Sequence, residues 1–223
     1  PELLNTDKKD LTVAEILVHQ AGLQPWIPFY EKTLIGLGRP SPDIYHPVAM
    51  TCYEVPVAKE LFMADDYVDT VWNRIFNSPL RDEKTYKYSD LGLYLTARAL
   101  QNLNGQPLDV FARRTFYRPL GLATAMFNPW QEGLTERCVP TEDDNYFRQQ
   151  RLQGYVHDMG AAMLGGVSGH AGLFSNANDL AKIFQMLLNK GEYGGRRYLK
   201  AETVAKFTTR YPAGQPRVIN IKR

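Results

Sequence analysis

The clearest pattern of hydrophobic and polar positions lies between residues 88 and 105. A polar start, Tyr88-Ser89-Asp90, precedes apolar residues at helical spacing, and Asn104-Gly105 follows the last of them. Ser and Asp at such a position can cap the first-turn N–H groups of a helix, and Asn-Gly commonly ends one. The pattern therefore predicts a capped helix here. Its predicted core face consists of Leu91, Leu95, Ala99, Leu100 and Leu103.

The polar start of this helix has two interpretations. Tyr88, Ser89 and Asp90 place a phenol, a hydroxyl and a carboxylate together at the mouth of a buried helix, which is typical of a functional site. The alternative is a plain helix cap beside a core aromatic ring. These three residues alone leave both interpretations open.

Helical patterns recur along the rest of the chain. All but the last, 201–208, combine a polar or proline start, apolar residues spaced three and four apart, and a glycine or proline stop. The strongest start is the capping box of Thr12 and Glu15, in which each side chain can bond to the other residue's backbone N–H. The predicted segments run from 12 to 21, 65 to 77, 107 to 116, 176 to 190 and 201 to 208.

Alternating apolar and polar positions, the signal of half-buried strands, are nearly absent. One brief strand is indicated at 196–199. A chain of 223 residues is long enough to bury a substantial core. The pattern therefore predicts a mainly α protein with few short strands.

Charge and composition exclude several classes of partner. Lys and Arg number 26 and Asp and Glu 24, a net charge of +2 without long runs of one sign, so nothing indicates nucleic acid or an anionic membrane. The longest uncharged run, 159–178, contains five glycines and a histidine and is a poor membrane span. Cys52 and Cys138 are too far apart for a zinc knuckle or a redox pair. We expect no membrane span and a small or neutral partner.

The glycine-rich segment 165–175 is the second candidate for function. Its glycines allow backbone to approach a ligand closely, or they form a tight crossover between helices, and the residues favour neither. Their spacing matches no nucleotide-binding loop. A metal site that uses His19, His157 and His170 is a further alternative, but no metal-binding spacing such as H-E-x-x-H is present, so we predict no metal and no cofactor.

Three segments, taken in order, resemble the serine β-lactamase and penicillin-binding-protein-like hydrolase superfamily, in its class C-like and esterase-like branch. Residues 11–23 resemble "T-x-x-x-L-L-T-H-T-S-G-L". Residues 88–122 resemble "Y-S-N-x-G … G-x-P-L … P-L-G-M", and residues 165–191 resemble "G-G-x-x-S-T-A-x-D-L-A-R-F … L-L-N-G-G". In a narrower match, 156–158 and 169–172 resemble serine-hydrolase modules that are joined to glycosidase domains in some Gram-negative bacteria.

The resemblance implies acyl transfer by a serine nucleophile on an amide, lactam or ester, and a periplasmic or otherwise extracytoplasmic location. Tyr88 would shuttle a proton beside the nucleophile, assisted by a lysine. Asp90 stands where the family usually has Asn, and as a carboxylate it accepts but does not donate hydrogen bonds. The implied substrate is a small molecule or peptidoglycan-like. Residues implied to contact it are Ser89, Gly169, His170 and Gly172.

Two motifs of the resembled family are absent from this sequence. No serine has a lysine three positions later, and no Lys-Thr-Gly or His-Thr-Gly follows the last predicted helix. We therefore expect residues 1–223 to be one partial domain, truncated at both ends: the helical lobe of the α/β fold with most of the central sheet missing. Such a chain would be inactive alone. The alternative is a non-catalytic binding or interaction module derived from the same fold.

Overall fold

The structure, a computed structural model, describes residues 2–209. Residues 210–223, where a Lys-Thr-Gly or His-Thr-Gly motif would be expected, lie outside this range. Seven α-helices are present between residues 2 and 209. They are α1 (Val13–Leu17), α2 (Tyr67–Phe76), α3 (Asp90–Asn104), α4 (Leu108–Ala112), α5 (Met159–Ala162), α6 (Ala177–Leu188) and α7 (Ala201–Thr208).

Short helical turns of other types connect these elements. A π-helical turn, Arg113–Tyr117, continues directly from α4, and 3₁₀ turns lie at Phe29–Thr33, Pro129–Glu132 and Thr135–Arg137. No helix in the described part of the chain is long and apolar enough to cross a membrane.

Eleven short strands form five antiparallel sheets within residues 2–209. The pairs are β1 with β2, β6 with β9, β7 with β8 and β10 with β11, and the one three-stranded sheet has the order β3-β5-β4. The strands are β1 (Leu34–Ile35), β2 (Arg39–Pro40), β3 (Tyr45–His46), β4 (Val55–Ala58), β5 (Leu61–Met63), β6 (Met126–Phe127), β7 (Glu142–Asp144), β8 (Gln150–Leu152), β9 (Leu173–Phe174), β10 (Glu192–Tyr193) and β11 (Arg196–Arg197).

The prediction of a mainly α fold with few short strands is wrong. Helices account for 37% and strands for 14% of the molecule, which is an α/β composition. Strands of two to four residues are too short to produce a readable alternation of apolar and polar positions. The hydrophobic pattern therefore detected the helices and missed nearly all of the sheets.

Helix α3 runs through the main core, where Leu91, Tyr94 and Leu95 are buried. Helix α1 lies directly against it. A Cβ at Gly92 would stand 2.8 Å from the Ile16 side chain, so a glycine at this position permits the close approach of the two helices. The start of α3 is thus held inside the protein.

The predicted core face of α3 holds only in its first half. Leu91 and Leu95 are buried, but Ala99 is exposed, Leu100 is 37% exposed and Leu103 82% exposed. The C-terminal half projects beyond the main core, so the helical spacing of apolar residues correctly predicts the helix but not how far the core extends.

The helix ends test the capping predictions. The Thr12–Glu15 capping box is present, and Gly105, with a φ of +63°, ends α3 in the left-handed conformation; both predictions are confirmed. Ser89 does not cap α3 with its side chain. Its hydroxyl instead donates to the Gln24 carbonyl oxygen at 2.6 Å. The predicted cap residue thus joins the helix to a distant segment.

A buried ion pair fixes the chain next to the glycine-rich region. Arg148 Nε donates to Asp144 Oδ2 at 2.6 Å, and both side chains are fully buried. The remaining guanidinium nitrogens donate to the carbonyl oxygens of Val156 at 2.8 Å and His157 at 2.5 Å. Arg148 thereby positions the backbone that leads directly into Asp158.

Candidate active site

The first residues of α3 are held by two segments that lie about 65 residues earlier in the chain. The Asp90 N–H donates to the Pro25 carbonyl oxygen at 2.9 Å, and the Ser89 N–H donates to His19 Nδ1 at 3.2 Å. Ser89 itself is buried, whereas Tyr88 is 45% exposed. Tyr88 is therefore a partly solvent-accessible phenol on a rigid support.

His19 forms one wall around Tyr88. Its backbone has a φ of +56°, and its ring centroid lies 4.5 Å from that of Tyr88. Because Nδ1 accepts the Ser89 N–H, the neutral ring carries its proton on Nε2. Burial lowers the pKa of His19, and the charge of Asp90 partly opposes this shift. His19 is therefore favoured as a neutral imidazole beside the phenol.

A second chain of hydrogen bonds connects Ser168, His170 and Asp158. His170 Nε2 lies 3.0 Å from Asp158 Oδ1, and His170 Nδ1 lies 2.9 Å from Ser168 Oγ. The imidazole is only 4% exposed, and its centroid lies 4.3 Å from that of Tyr94. Asp158 also accepts the Ala161 N–H at 2.7 Å and so caps α5. Both ring nitrogens of His170 thus have hydrogen-bond partners, which fix the orientation of the side chain.

The start of α3 and the hydrogen-bonded chain of Ser168, His170 and Asp158 come together at one position. Ligand-type atoms of Asp90, Asp158 and His170 all lie within 4.8 Å of one another. The alternative set of His19, His157 and His170 does not form such a group in the described part of the chain, since His157 is exposed and Asp158 takes its place. The structure therefore places two carboxylates and an imidazole beside Tyr88.

Among residues 2–209, neither carboxylate of the site has a Lys or Arg partner. Asp158 pairs with His170. Burial, with a contribution from the charge of Asp158, raises the pKa of Asp90. Burial would also raise the pKa of Asp158, but the hydrogen bond and charge of His170 outweigh it and lower that pKa. Two neighbouring carboxylates thus differ in their readiness to ionise.

Tyr88 is poised as a protonated phenol by the groups that surround it here. Burial first, and then the charge and hydrogen bonding of Asp90, raise its pKa. The resemblance implies a lysine that would favour the phenolate, and residues 2–209 place no lysine in this position. With these neighbours alone, Tyr88 keeps its proton at neutral pH, so the phenol can donate a hydrogen bond but is a weak acid.

Gly169 and Gly172, implied as substrate contacts, lie where the backbone is crowded. A Cβ at Gly169 would overlap the Leu93 carbonyl oxygen, and one at Gly172 would overlap the Gly166 carbonyl oxygen. Gly172 also has a φ of +110°. Both glycines therefore have a packing reason to be glycine. Gly169 and His170 nevertheless line one side of a mostly apolar cavity of about 390 Å³ that reaches α3 at Leu93 and Ala97.

Sequence reasoning missed the roles of Asp158, Ser168 and Tyr94. In the sequence, Asp158 stands out only as part of the motif 156–158, and Tyr94 has the pattern of an ordinary core position of α3. The only local signal for Asp158 is its place before the small apolar helix α5, where Asp is a favoured cap. Nothing in the linear sequence connects these residues to Asp90.

A phenol and a carboxylate at the start of a buried helix, opposite a glycine-rich loop in an α/β fold, place this protein with the penicillin-binding-protein-like hydrolases. The chain belongs to the Beta-lactamase family, whose sequence profile matches residues 1–219. The resemblance stated from the sequence is thereby confirmed.

Two curated relatives are similar over about half of the chain. One, from Escherichia coli K12, is described as a candidate D-alanyl-D-alanine carboxypeptidase and is 40% identical over 134 residues, 55% of this chain and 31% of the relative. The other, N-acetylmuramyl-L-alanine amidase of Bacillus subtilis 168, is 41% identical over 133 residues, 54% of this chain and 30% of the relative. The matches thus span less than a third of either relative's length.

Solved structures share the fold. A penicillin-binding protein homologue from Caulobacter crescentus has a TM-score of 0.56 at 18% identity, with 94% of this chain and 52% of that chain covered. D-Amino acid amidase from Ochrobactrum anthropi SV3 has a TM-score of 0.55 at 14% identity, with 91% and 50% covered. At such identities the likeness defines the fold alone, and these neighbours are α/β proteins.

Proposed function

We propose that this chain forms the Tyr88–Asp90 wall of a serine-hydrolase active site that cleaves an amide bond through an acyl-enzyme. One observation carries the proposal: the Tyr88 phenol is partly exposed, yet it stands on a buried helix start that hydrogen bonds from distant segments hold in place. A rigid support for a reactive group lowers the cost of orienting it during reaction.

The substrate class is inferred from the relatives. Their names specify D-alanyl-D-alanine and N-acetylmuramyl-L-alanine bonds, which are amides of bacterial cell-wall peptides. We infer that the substrate of this protein is a peptidoglycan-derived amide. A location outside the cytoplasm, where such a substrate is found, belongs to the same proposal, and so does a fusion to a glycosidase domain.

The nucleophile is proposed to come from further chain. None of the five serines of this sequence is followed by a lysine three positions later. An activated serine needs a neighbouring base or cation, and the Ser-x-x-Lys pair supplies both in the family pattern. The 223-residue chain alone is therefore expected to form no acyl-enzyme. In a protein that carries the pair, the lysine ammonium would also lower the pKa of Tyr88, against the effect of Asp90.

The test uses a longer form of the protein that contains a Ser-x-x-Lys segment, assayed with a fluorescent penicillin and a D-alanyl anilide. We expect Tyr88→Phe to reduce the acylation rate about 1,000-fold, the scale of a lost proton-transfer group. Tyr86→Phe is the matched control, since its ring also contacts His19, with centroids 6.1 Å apart. The control should retain acylation within about twofold.

Near-normal acylation by Tyr88→Phe would overturn the proposal. So would a complete reading frame without any Ser-x-x-Lys segment, which would favour a non-catalytic binding module. For the isolated chain, the corresponding measurement is the intact mass after incubation with penicillin. An added acyl mass on the 223 residues would contradict the assignment of the nucleophile to further chain.

A further inference from the structure

We propose that His19 is a positioning residue for Tyr88: its neutral imidazole fixes the backbone next to the phenol, and protonation of the ring releases that backbone. The inference goes beyond amide cleavage, because it concerns the geometry and the pH dependence of one segment of this chain. It rests on the proposed function only where acylation is the readout.

His19 binds the backbone on both sides of Tyr88. Its carbonyl oxygen accepts the Lys87 N–H at 3.0 Å, and its Nδ1 accepts the Ser89 N–H at 3.2 Å. The two donors belong to the residues directly before and directly after Tyr88. A single residue, 70 positions before Ser89, thus fixes the segment that carries the phenol.

The imidazole also packs against the phenol itself. The ring centroids of His19 and Tyr88 lie 4.5 Å apart, with the ring planes inclined by 39°. Such a contact restricts the orientation of the Tyr88 ring, which is otherwise 45% exposed. His19 therefore orients the phenol as well as the backbone next to it.

His19 is itself anchored to helix α1. Its N–H donates to the Ile16 carbonyl oxygen at 3.0 Å, and the buried Ile16 side chain packs against Gly92 of α3. The φ of +56° at His19 lies in the left-handed region, which histidine and asparagine adopt more readily than most residues other than glycine. Helix α1, His19 and the start of α3 thus form one support for Tyr88.

Protonation removes the acceptor on which this arrangement depends. One nitrogen of a neutral imidazole accepts a hydrogen bond, whereas both nitrogens of an imidazolium donate. A proton on His19 Nδ1 would face the Ser89 N–H, so this hydrogen bond is lost. The Ser89 hydroxyl bond to Gln24 and the Asp90 N–H bond to Pro25 do not involve His19 and keep α3 in place. The expected change is therefore confined to residues 87–89.

The surroundings of the ring set the pH range of this change. Among residues 2–209, the titratable groups that face the His19 ring are Tyr86, Tyr88 and Asp90. Burial lowers the pKa of His19, and the charge of Asp90 partly opposes this shift. The ring is therefore neutral at pH 7, and release is expected as the pH falls below the ordinary histidine range. A lysine beside Tyr88 in a longer protein would lower the pKa further.

The first test follows the 223-residue chain by NMR between pH 4.5 and 8 and requires no activity. We expect the chemical shift of the Ser89 amide to titrate with the same midpoint as the His19 ring. Protection of this amide from hydrogen exchange should fall at least about tenfold below that midpoint. His46→Asn is the matched control, because His46 also accepts a backbone N–H at Nδ1, but in β3; it should leave the Ser89 titration unchanged.

Two substitutions at position 19 separate the acceptor from the backbone conformation. Glycine and asparagine both adopt a positive φ, but only asparagine has a side-chain oxygen that can accept the Ser89 N–H, and this oxygen does not titrate. His19→Asn should therefore keep the Ser89 amide protected across the pH range. His19→Gly should lose this protection at every pH.

The second test uses a longer form of the protein that contains a Ser-x-x-Lys segment, acylated by a fluorescent penicillin. His19→Gly should lower the acylation rate about 100-fold, which is the scale expected for a misplaced reactive group. His19→Asn should recover at least about tenfold of that loss. It should also lack the decline in rate at acidic pH that follows the titration of His19.

Three outcomes would overturn the inference. One is a Ser89 amide that stays protected while the His19 ring titrates, or a ring that stays neutral until the chain unfolds in acid. Another is an equal loss of Ser89 protection in His19→Asn and His19→Gly at pH 7.5. The third is an unchanged acidic decline of the acylation rate in His19→Asn. Normal acylation by Tyr88→Phe is distinct from these, since it removes the proposed function and leaves the NMR result for His19 standing.

Discussion

Two groups of charged residues, one fully buried and one half-buried, are built in different ways in this protein. In the Asp144–Arg148 pair, a carboxylate meets a guanidinium at 2.6 Å, and the remaining donors of Arg148 reach two carbonyl oxygens. In the cluster of Asp90, Asp158 and His170, two carboxylates share one imidazole and no Lys or Arg of residues 2–209. The Asp144 carboxylate has a guanidinium partner, and Arg148 also lies 3.8 Å from a carboxylate oxygen of Glu142. The carboxylates of the second group have no such partner among residues 2–209.

The difference separates a structural role from a functional one. A buried charge that is paired and hydrogen-bonded can stabilise the surrounding backbone. Neighbouring carboxylates without a cationic partner have shifted pKa values, which are typical of functional sites. The two groups are also connected, because Arg148 holds the carbonyls of Val156 and His157 immediately before Asp158. The neutral pair thus positions the charged cluster.

The largest expected effect is the loss of the neutral pair. Arg148→Met leaves the Asp144 carboxylate buried without its partner, and we expect the free energy of unfolding to fall by about 3 to 5 kcal/mol. Urea denaturation followed by circular dichroism measures it. Arg151→Met is the control, because its pair with Asp143 is exposed and is expected to cost less than about 1 kcal/mol. If the two variants lost the same free energy of unfolding, the buried pair would be no more important for stability than the exposed one.

The two groups are also expected to differ in how their contribution to stability depends on pH. Burial would raise the pKa of Asp144, but Arg148 and the Phe147 N–H outweigh it and lower that pKa. Its stabilisation is therefore present above the ordinary carboxyl pKa and lost as the pH falls through the folded value. The pKa of Asp90 is raised instead, so its contribution is present at low pH and lost as the pH rises through its folded value.

Unfolding free energies measured between pH 2 and 7, with EDTA present, test these opposite signs. Asp144→Asn should flatten the loss of stability at the acidic end. Asp90→Asn should remove a decline in the free energy of unfolding that occurs as the pH rises just above the ordinary pKa range of carboxyl groups. If both variants altered the same pH interval in the same direction, the two groups would not be electrostatically distinct.

A smaller effect is expected from Asp90→Asn at neutral pH. The substitution removes one of two neighbouring negative charges while keeping the shape, so stability should stay level or rise, by at most about 1 kcal/mol. Asp144→Asn, the same chemical change in the paired group, should destabilise. Thermal unfolding of the two variants side by side gives the comparison, and a clear loss of stability in Asp90→Asn would contradict it.

The smallest effect on stability is expected from Tyr88→Phe. Tyr88 is 45% exposed, so loss of its hydroxyl should change the free energy of unfolding by less than about 0.5 kcal/mol. Tyr45→Phe is the contrasting variant, since its buried hydroxyl bonds with that of Thr33 at 2.9 Å and should cost about 1 kcal/mol. Denaturation of both variants checks whether Tyr88 is free of a structural role.

Local signals in the sequence predicted elements and ends well. Thr12 and Glu15 cap α1, Asn176 caps α6, and α7 spans the predicted residues 201–208. Such signals succeed because a cap involves groups only two or three residues apart. Where the partner is distant, as for the Ser89 hydroxyl and Gln24, the same local reasoning failed.

Burial was predicted less well than helicity. In α6, Ile183 and Leu187 pack against a core cluster and Met186 is buried, but three further apolar residues are exposed: Leu180, Phe184 and Leu188. Helical spacing shows which residues share a face, and the neighbouring elements decide whether that face is covered. The short strands were missed because two to four residues are too few to show an alternation of apolar and polar positions, although most of the strands pair with a neighbour in the sequence.

By itself, the sequence determined the family and the helix that carries Tyr88 and Asp90, because both are encoded in short stretches of neighbouring residues. Only the tertiary structure decided that Asp90 lies beside Asp158 and His170, and that Arg148 and Ser168 hold them there. Asp90 and Asp158 are separated by most of α3 and the segments that follow it. Chain packing, not local pattern, brings a carboxylate oxygen of each within 4.8 Å of the other.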